Sequence, residues 1–162
     1  MVISVIITII LTLAFNVVLI WKNKGTPQYL SDSFKIFGGT PKGYIFHWYI
    51  LILFGLLIYP VMKVTPDNLA FLPFIALGFT VFVGSTVNTK LSGSLHLICA
   101  YISCVLMIVW SLLMGCWQLV VIISVISSII AYIDRKAFIY WLEMGCIFLS
   151  LLTTLTLVLL TI

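Results

Sequence analysis

The sequence is poor in charge. Only four of its 162 residues are Asp or Glu and eight are Lys or Arg, whereas 64% are hydrophobic and the mean hydropathy is +1.32. A soluble domain of this size needs a charged shell, so the composition excludes that class. The few charges separate apolar runs of about twenty residues, the length that crosses a hydrocarbon layer of ~30 Å. The composition therefore predicts an integral membrane protein built of helices, since lipid requires each segment to pair its own backbone.

Motifs typical of several soluble function classes are also absent. The basic residues form neither a basic helix nor a patch interleaved with aromatic residues, so no nucleic-acid partner is expected. The sequence contains no GxSxG, HExxH, Walker or GxGxxG motif. It has no CxxC pair, and its cysteines are interpreted as small apolar packing residues. These are Cys99, Cys104, Cys116 and Cys146.

Apolar runs between charged or turn-forming breaks predict six spans in one all-α transmembrane domain, residues 1–162. The spans cover residues 2–21, 44–62, 69–87, 94–115, 117–133 and 137–162. The first is expected to be retained, because it has no positively charged n-region and no small-x-small cleavage site after it. The break at Gly115 carries no charge, but joining its flanking runs would give an over-long helix of about forty residues.

The first loop, residues 22–43, is predicted to contain a short interfacial helix over Leu30–Gly39. Ser31 or Asp32 would cap this helix and the glycines would end it. Its apolar face would consist of Leu30, Phe34 and Phe37.

Basic residues are biased to one side of the predicted bundle. The odd-numbered loops carry seven Lys or Arg residues and the even-numbered loops carry only Lys63. The positive-inside rule therefore places the odd-numbered loops in the cytoplasm and both termini outside it. The membrane is interpreted as a bacterial inner membrane.

Ionisable groups inside a membrane are costly, and each is a candidate functional group. Those in the predicted spans are His47, His96 and Glu143. With the predicted orientation they share the cytoplasmic half of the membrane with Asn16, and the Ser31–Asp32 pair lies just outside it. The alternative is that the histidines are ordinary hydrogen-bonded interfacial residues and that Glu143 is a structural partner of His96 or Asn16.

Polar side chains also recur at helical spacing along two spans. They are Ser4, Thr8, Thr12 and Asn16 on the first span, and Glu143, Cys146, Ser150 and Thr153 or Thr154 on the sixth. Such stripes are expected to face protein or water rather than lipid. Small and hydroxylated residues also serve close helix packing, which is the interpretation given to Ser124, Ser128 and Ala131 on the fifth span.

The segment Thr26–Ser33 resembles the Pro-x-Ile-Ser-Asp-Thr-Gly segment that follows the first span in the six-helix DRAM/Frag/Sfk membrane family and its bacterial relatives. His96, in the run Gly93 to Ala100, is similar to that family's histidine at the head of the fourth helix. The Asp134–Lys136 hairpin is similar to one in small membrane proteins of phages and gut bacteria. Phe34 stands where the family has glycine. The resemblance implies a six-helix membrane protein of uncharacterised role.

A more distant similarity links the Ser, Asp and His set to membrane hydrolases of the ceramidase and progestin-receptor superfamily. Those proteins have seven spans and extra histidines that this chain lacks.

Three functions are predicted in order of preference. The first is binding of a lipid or small amphiphile in a cytoplasm-facing cavity lined by Asn16, His47, His96 and Glu143. The second is a metal-assisted lipid hydrolase with Ser31, Asp32 and His96 as catalytic candidates and a metal ion held by His47, His96 and Glu143. The third is an oligomeric channel, which would make a second copy or another membrane protein a partner beside membrane lipids. His96 and Glu143 are expected to be neighbours, with Asn16 as the substitute donor.

Overall fold

The computed structural model describes residues 1–38, 44–86 and 92–161, without the side chains of residues 31, 34, 83–86 and 92–96. The described chain is helical and contains no strand, which confirms the all-α bundle. The helices are α1 (Val2–Asn23), α2 (Ser33–Ile36), α3 (Tyr44–Val64), α4 (Phe71–Thr86), α5 (Ser92–Leu113), α6 (Trp117–Ile133) and α7 (Phe138–Leu160). Short 3-10 turns cover Leu30–Asp32, Asp67–Leu69 and Arg135–Ala137.

The six longer helices begin and end within a few residues of the predicted spans. Three segments are long and apolar enough to cross a membrane, namely α1, α3 and Arg135–Leu160. The described apolar parts of the other three are shorter, at Phe71–Phe82, Leu97–Leu113 and Trp117–Ile133. The chain is therefore a helical bundle of the membrane-protein type.

The uncharged break between α5 and α6 is present at the predicted place. Gly115 has φ +78°, a left-handed conformation that glycine adopts without strain. Its N–H donates to the carbonyl of Leu112, and the N–H of Cys116 donates to the carbonyl of Ser111, both at 3.0 Å. This pair of bonds is a Schellman motif, which satisfies the last carbonyls of α5 and redirects the chain.

Helix α7 is the centre of the bundle. It contacts α1, α3, α5 and α6. Half of its most apolar stretch is buried, against 28% for α1 and 39% for α3. Leu151 and Val158 on α7 are completely buried. Helix α4 packs instead against α3 and α5, so α7 contacts four of the other five long helices.

The α6–α7 contact is close because Gly145 faces Ser127. A Cβ atom added to Gly145 would lie 2.9 Å from the Cβ of Ser127 and closer still to its hydroxyl. Ser127 and Ala131 are buried, whereas Ser124 and Ser128 are exposed. Of the predicted stripe, Ala131 therefore lies on the packing face of α6. Ser127 lies there as well, whereas Ser124 and Ser128 do not.

The first loop folds back onto the bundle. The 3-10 turn at Leu30–Asp32 continues into α2, and Gly38, at φ +102°, follows its end as predicted. Asp32 precedes α2 without capping it, because its Oδ2 accepts the N–H of Tyr29 at 3.1 Å. Leu30 and Phe37 are buried in one apolar cluster with Phe46 of α3. The apolar side of this segment therefore packs against protein.

Candidate functional site

The polar stripe of α1 faces protein, as predicted. Thr8 and Thr12 are completely buried. The Tyr140 hydroxyl of α7 donates to Asn16 Oδ1, while Asn16 Nδ2 donates to the carbonyl of Thr12 at 2.6 Å. The Tyr49 hydroxyl of α3 donates to Thr12 Oγ1 at 3.3 Å. These bonds connect α1, α3 and α7, so Asn16 serves helix packing here.

Glu143 on α7 binds the first loop. Its Oε2 accepts the backbone N–H of Leu30 at 2.9 Å. One turn earlier, the N–H of Tyr140 donates to the carbonyl of Gln28 at 3.2 Å. The start of α7 thus holds residues 28–30 over the bundle through one side-chain acceptor and one backbone donor.

The described partner of Glu143 is the Leu30 N–H, and the predicted pairing of Glu143 with His96 falls outside the described residues. The side chain of His96 lies outside the described residues, and the Asn16 side chain bonds to Thr12 and Tyr140. A backbone N–H has no signature in the sequence, since every residue except proline carries one. The only available signal was the cost of leaving a carboxylate unpaired in a membrane.

Two cavities adjoin Glu143. The inner cavity lies between α3, α4, α5 and α7 and has a volume of about 120 Å³. Its lining is mainly aliphatic and includes Leu30, Leu53, Leu57, Leu77, Met107 and Leu151. The outer cavity lies between α5, α6 and α7, has a volume of about 330 Å³, and includes Tyr101, Val105, Ile123, Ser124, Ser128 and Leu149. The two cavities occupy opposite sides of the α5–α7 contact.

Four residues line both cavities and form the wall between them. They are Ala100, Cys104, Glu143 and Cys146. The wall thus places two cysteines, Cys104 of α5 and Cys146 of α7, in the same lining as the Glu143 carboxylate. Both cysteines are free thiols. The wall therefore concentrates acid–base and thiol chemistry in a lining that is otherwise largely apolar.

Among the candidates whose side chains the structure describes, Asn16, Asp32 and His47 line neither cavity. His47 is half-buried on α3, and its ring makes edge contacts with Tyr44 and Phe46 at centroid distances of 5.3 and 6.3 Å. The side chain of Ser31, like that of His96, is outside the described residues. Four residues were predicted to line one cavity. Among those whose side chains the structure describes, Glu143 alone lines a cavity.

A metal site is not assembled in the part of the chain that the structure describes. No three side chains of His, Cys, Asp or Glu come together there as metal ligands. Comparison with known proteins gives no match to the chain among family models, curated proteins or solved structures. The chemistry available at the site is therefore that of two cavities lined by one carboxylate and two thiols.

Proposed function

We propose that this chain is a six-span membrane protein that binds a lipid or another small amphiphile in the inner cavity. The observation that supports this proposal is an aliphatic cavity with one carboxylate, Glu143, close to the loop segment that covers it. Sites for small apolar ligands combine a mainly apolar lining with a few polar groups that fix orientation. Leu53, Leu57 and Leu151 would contact the apolar tail, and the wall residues would contact the polar head.

The aliphatic lining of the inner cavity favours an apolar occupant. An apolar chain in this space would recover the dispersion contacts that an empty cavity lacks. Membrane lipids supply such chains at high local concentration.

The proposed topology has six spans, the first loop in the cytoplasm and both termini outside it, in a bacterial inner membrane. Contacts at the two ends of the bundle support the alternation of spans. The first loop meets the start of α7 through Gln28 and Leu30, while Thr65, after α3, meets Trp110 near the end of α5. Membership of the DRAM/Frag/Sfk-like group is part of the same proposal and rests on the sequence resemblance alone.

A cavity-filling substitution tests the binding site. We expect Leu53→Trp to fill the inner cavity and to weaken binding of a fluorescent fatty acid in nanodiscs by at least about tenfold. Leu51→Trp on the same helix is the matched control, because Leu51 is 46% exposed and lines neither cavity. A larger side chain in a packed core commonly lowers stability by about 1–3 kcal/mol. Binding is therefore also measured for the smaller Leu53→Phe change, and a thermal melt checks that each variant is folded.

Equal binding by folded Leu53→Trp and Leu51→Trp proteins would place the amphiphile elsewhere and overturn the assignment to the inner cavity. Ion flux through liposomes containing the wild-type protein would favour the channel instead. A stoichiometric metal ion in the purified protein would favour the hydrolase.

A further inference from the structure

We infer that the outer cavity is a second lipid site, which takes an uncharged lipid with a hydroxyl-bearing head, of the acylglycerol class. The site is separate from the inner cavity of the proposed function. It is built around serine hydroxyls that the fold leaves without a hydrogen bond, in a cavity that opens on the outer surface of the bundle.

Three serines of α6 line the outer cavity and make no hydrogen bond with any residue that the structure describes. They are Ser124, Ser127 and Ser128. On α5 and α7, by contrast, the hydroxyls of Ser103, Ser111 and Ser150 each donate to a backbone carbonyl. A hydroxyl without a partner in apolar surroundings costs free energy, so the serines of α6 indicate a polar occupant of the cavity.

Ser127 is the most enclosed of the three serines. It is 8% exposed, and its Oγ occupies the space that a side chain at position 145 would fill. Gly145 has no side chain and lines the same cavity. The Ser127 hydroxyl therefore lies in the cavity wall against the backbone of α7, nine-tenths buried and without a partner of its own.

The outer cavity is accessible from the surface of the bundle. Ser124 and Ser128 are exposed, and Tyr101 of α5, which also lines the cavity, is 57% exposed. In a membrane this surface faces lipid. The cavity volume of about 330 Å³ lies within the range of roughly 300–1,000 Å³ that small ligands occupy. A second helix, about 10 Å in diameter, would not enter it.

Charge and depth select the head group. The described lining includes the carboxylate of Glu143 but no Lys, Arg or His. Ser128 lies five residues before Ile133 and Glu143 five residues after Phe138, which places both about 8 Å along their helices from the loop end. A phosphate at this depth would be buried beside a carboxylate without a cation, whereas an uncharged head needs only hydrogen bonds.

An acylglycerol supplies those hydrogen bonds. The serine hydroxyls can donate to its ester carbonyls, and its free hydroxyl can donate to the Glu143 carboxylate. Glu143 Oε2 already accepts the Leu30 N–H, but a carboxylate has room for further donors. An amine would pair with Glu143 alone and leave the serines without a partner. Val105, Ile123 and Leu149 would contact the start of the acyl chain.

The test measures binding of dioleoylglycerol, with a fluorophore at the end of one chain, to the full protein in nanodiscs. We expect the double change of Ser124→Ala and Ser128→Ala to weaken binding by about tenfold, as the loss of two hydrogen bonds in a membrane does. Without the lipid, the melting temperature should not fall, because these hydroxyls have no partner in the fold. Ser150→Ala is the matched control, since Ser150 lines only the inner cavity.

A second measurement tests the head group. Dioleoyl phosphatidic acid has the same chains and a phosphate, and it should compete for the site at least about tenfold less well. Equal competition by the two lipids would overturn the assignment of an uncharged head.

Unchanged binding by the folded double variant would overturn the inference, as would the absence of dioleoylglycerol binding by the wild type. A dimer that requires Ser124 and Ser128 and forms without lipid binding would assign these serines to a second copy of the chain. The Leu53→Trp protein separates the two sites, because it should lose the fatty acid and keep dioleoylglycerol. Fatty-acid binding by the double variant should equal that of the wild type, so either site can fail without the other.

Discussion

The two ends of the bundle are closed in different ways. At the loop end, Glu143 and Tyr140 hold the backbone of residues 28–30, a segment that lies outside the long helices. At the opposite end, Trp110 Nε1 donates to Thr65 Oγ1 at 3.0 Å, and Thr65 in turn donates to the carbonyl of Val61 at 2.6 Å. One end thus depends on an added segment, and the other is closed by side chains of the helices and their immediate flanks.

The opposite end also contains a second buried polar contact. The Thr153 hydroxyl of α7 donates to Ser111 Oγ of α5 at 3.1 Å, and Ser111 donates to the carbonyl of Met107. Thr153, Ser111 and Trp110 are completely buried. The polar contacts of this end join long helices and their flanks, whereas at the loop end Glu143 and Tyr140 also bind the backbone of the first loop.

The largest effect on stability is expected at the end opposite the first loop. Trp110→Ala should lower the free energy of unfolding by about 3–5 kcal/mol, because it removes a completely buried indole and leaves Thr65 without its donor. Trp117→Ala is the control, since Trp117 is 58% exposed. Thermal melts in one detergent give the comparison. Equal losses of stability for the two variants would mean that the contacts of Trp110 at this end do not stabilise the bundle.

A smaller effect is expected from Glu143, and it should be confined to the loop end. Glu143→Leu leaves the Leu30 N–H without an acceptor, at a cost of about 1–3 kcal/mol, whereas Glu143→Gln keeps a carbonyl oxygen there. Amide hydrogen exchange at Leu30 should therefore accelerate more in the leucine variant. Identical exchange and identical melting of the two variants would contradict the role of Glu143 in holding the loop.

The smallest effect concerns the contact between α1 and α7. Tyr140→Phe removes the hydroxyl that donates to Asn16, and hydrogen bonds between membrane helices contribute about 0.6 kcal/mol on average. Tyr132→Phe serves as the control, because Tyr132 is 68% exposed. Chemical denaturation should resolve a small loss for Tyr140→Phe alone. A loss as large as that of Trp110→Ala would mean that the loop end contributes as much to the stability of the bundle as the opposite end.

The helices were predictable from the sequence, but their rotations about their axes were only partly so. Lipid imposes long apolar helices, and Gly115 was visible as a break because the alternative helix would be too long. The burial of Thr12 and Asn16 followed from their spacing on α1. On α6 the same spacing argument chose Ser124 and Ser128, whereas Ser127 contacts Gly145, since serines on adjacent faces do not reveal which face meets a neighbour.

The candidate site was less predictable because its defining contacts join distant parts of the chain. Glu143 was identified by its cost in lipid, but its acceptor role toward Leu30 depends on how the first loop folds back. Cys104 and Cys146 looked like ordinary packing residues, and their place in the lining of both cavities depends on the relative rotation of α5 and α7. No local pattern specifies such a rotation.

The central position of α7 also has a consequence for biosynthesis. A ribosome delivers α1 to α6 to the membrane before Phe138 emerges, although α1, α3, α5 and α6 all contact α7. Until then, Asn16 Oδ1 on α1 lacks the donor that Tyr140 provides, and residues 28–30 of the first loop lack their contacts with the start of α7. We therefore expect translation halted before Phe138 to leave a loosely associated intermediate that membrane proteases degrade, and assembly to be completed in one step when α7 enters.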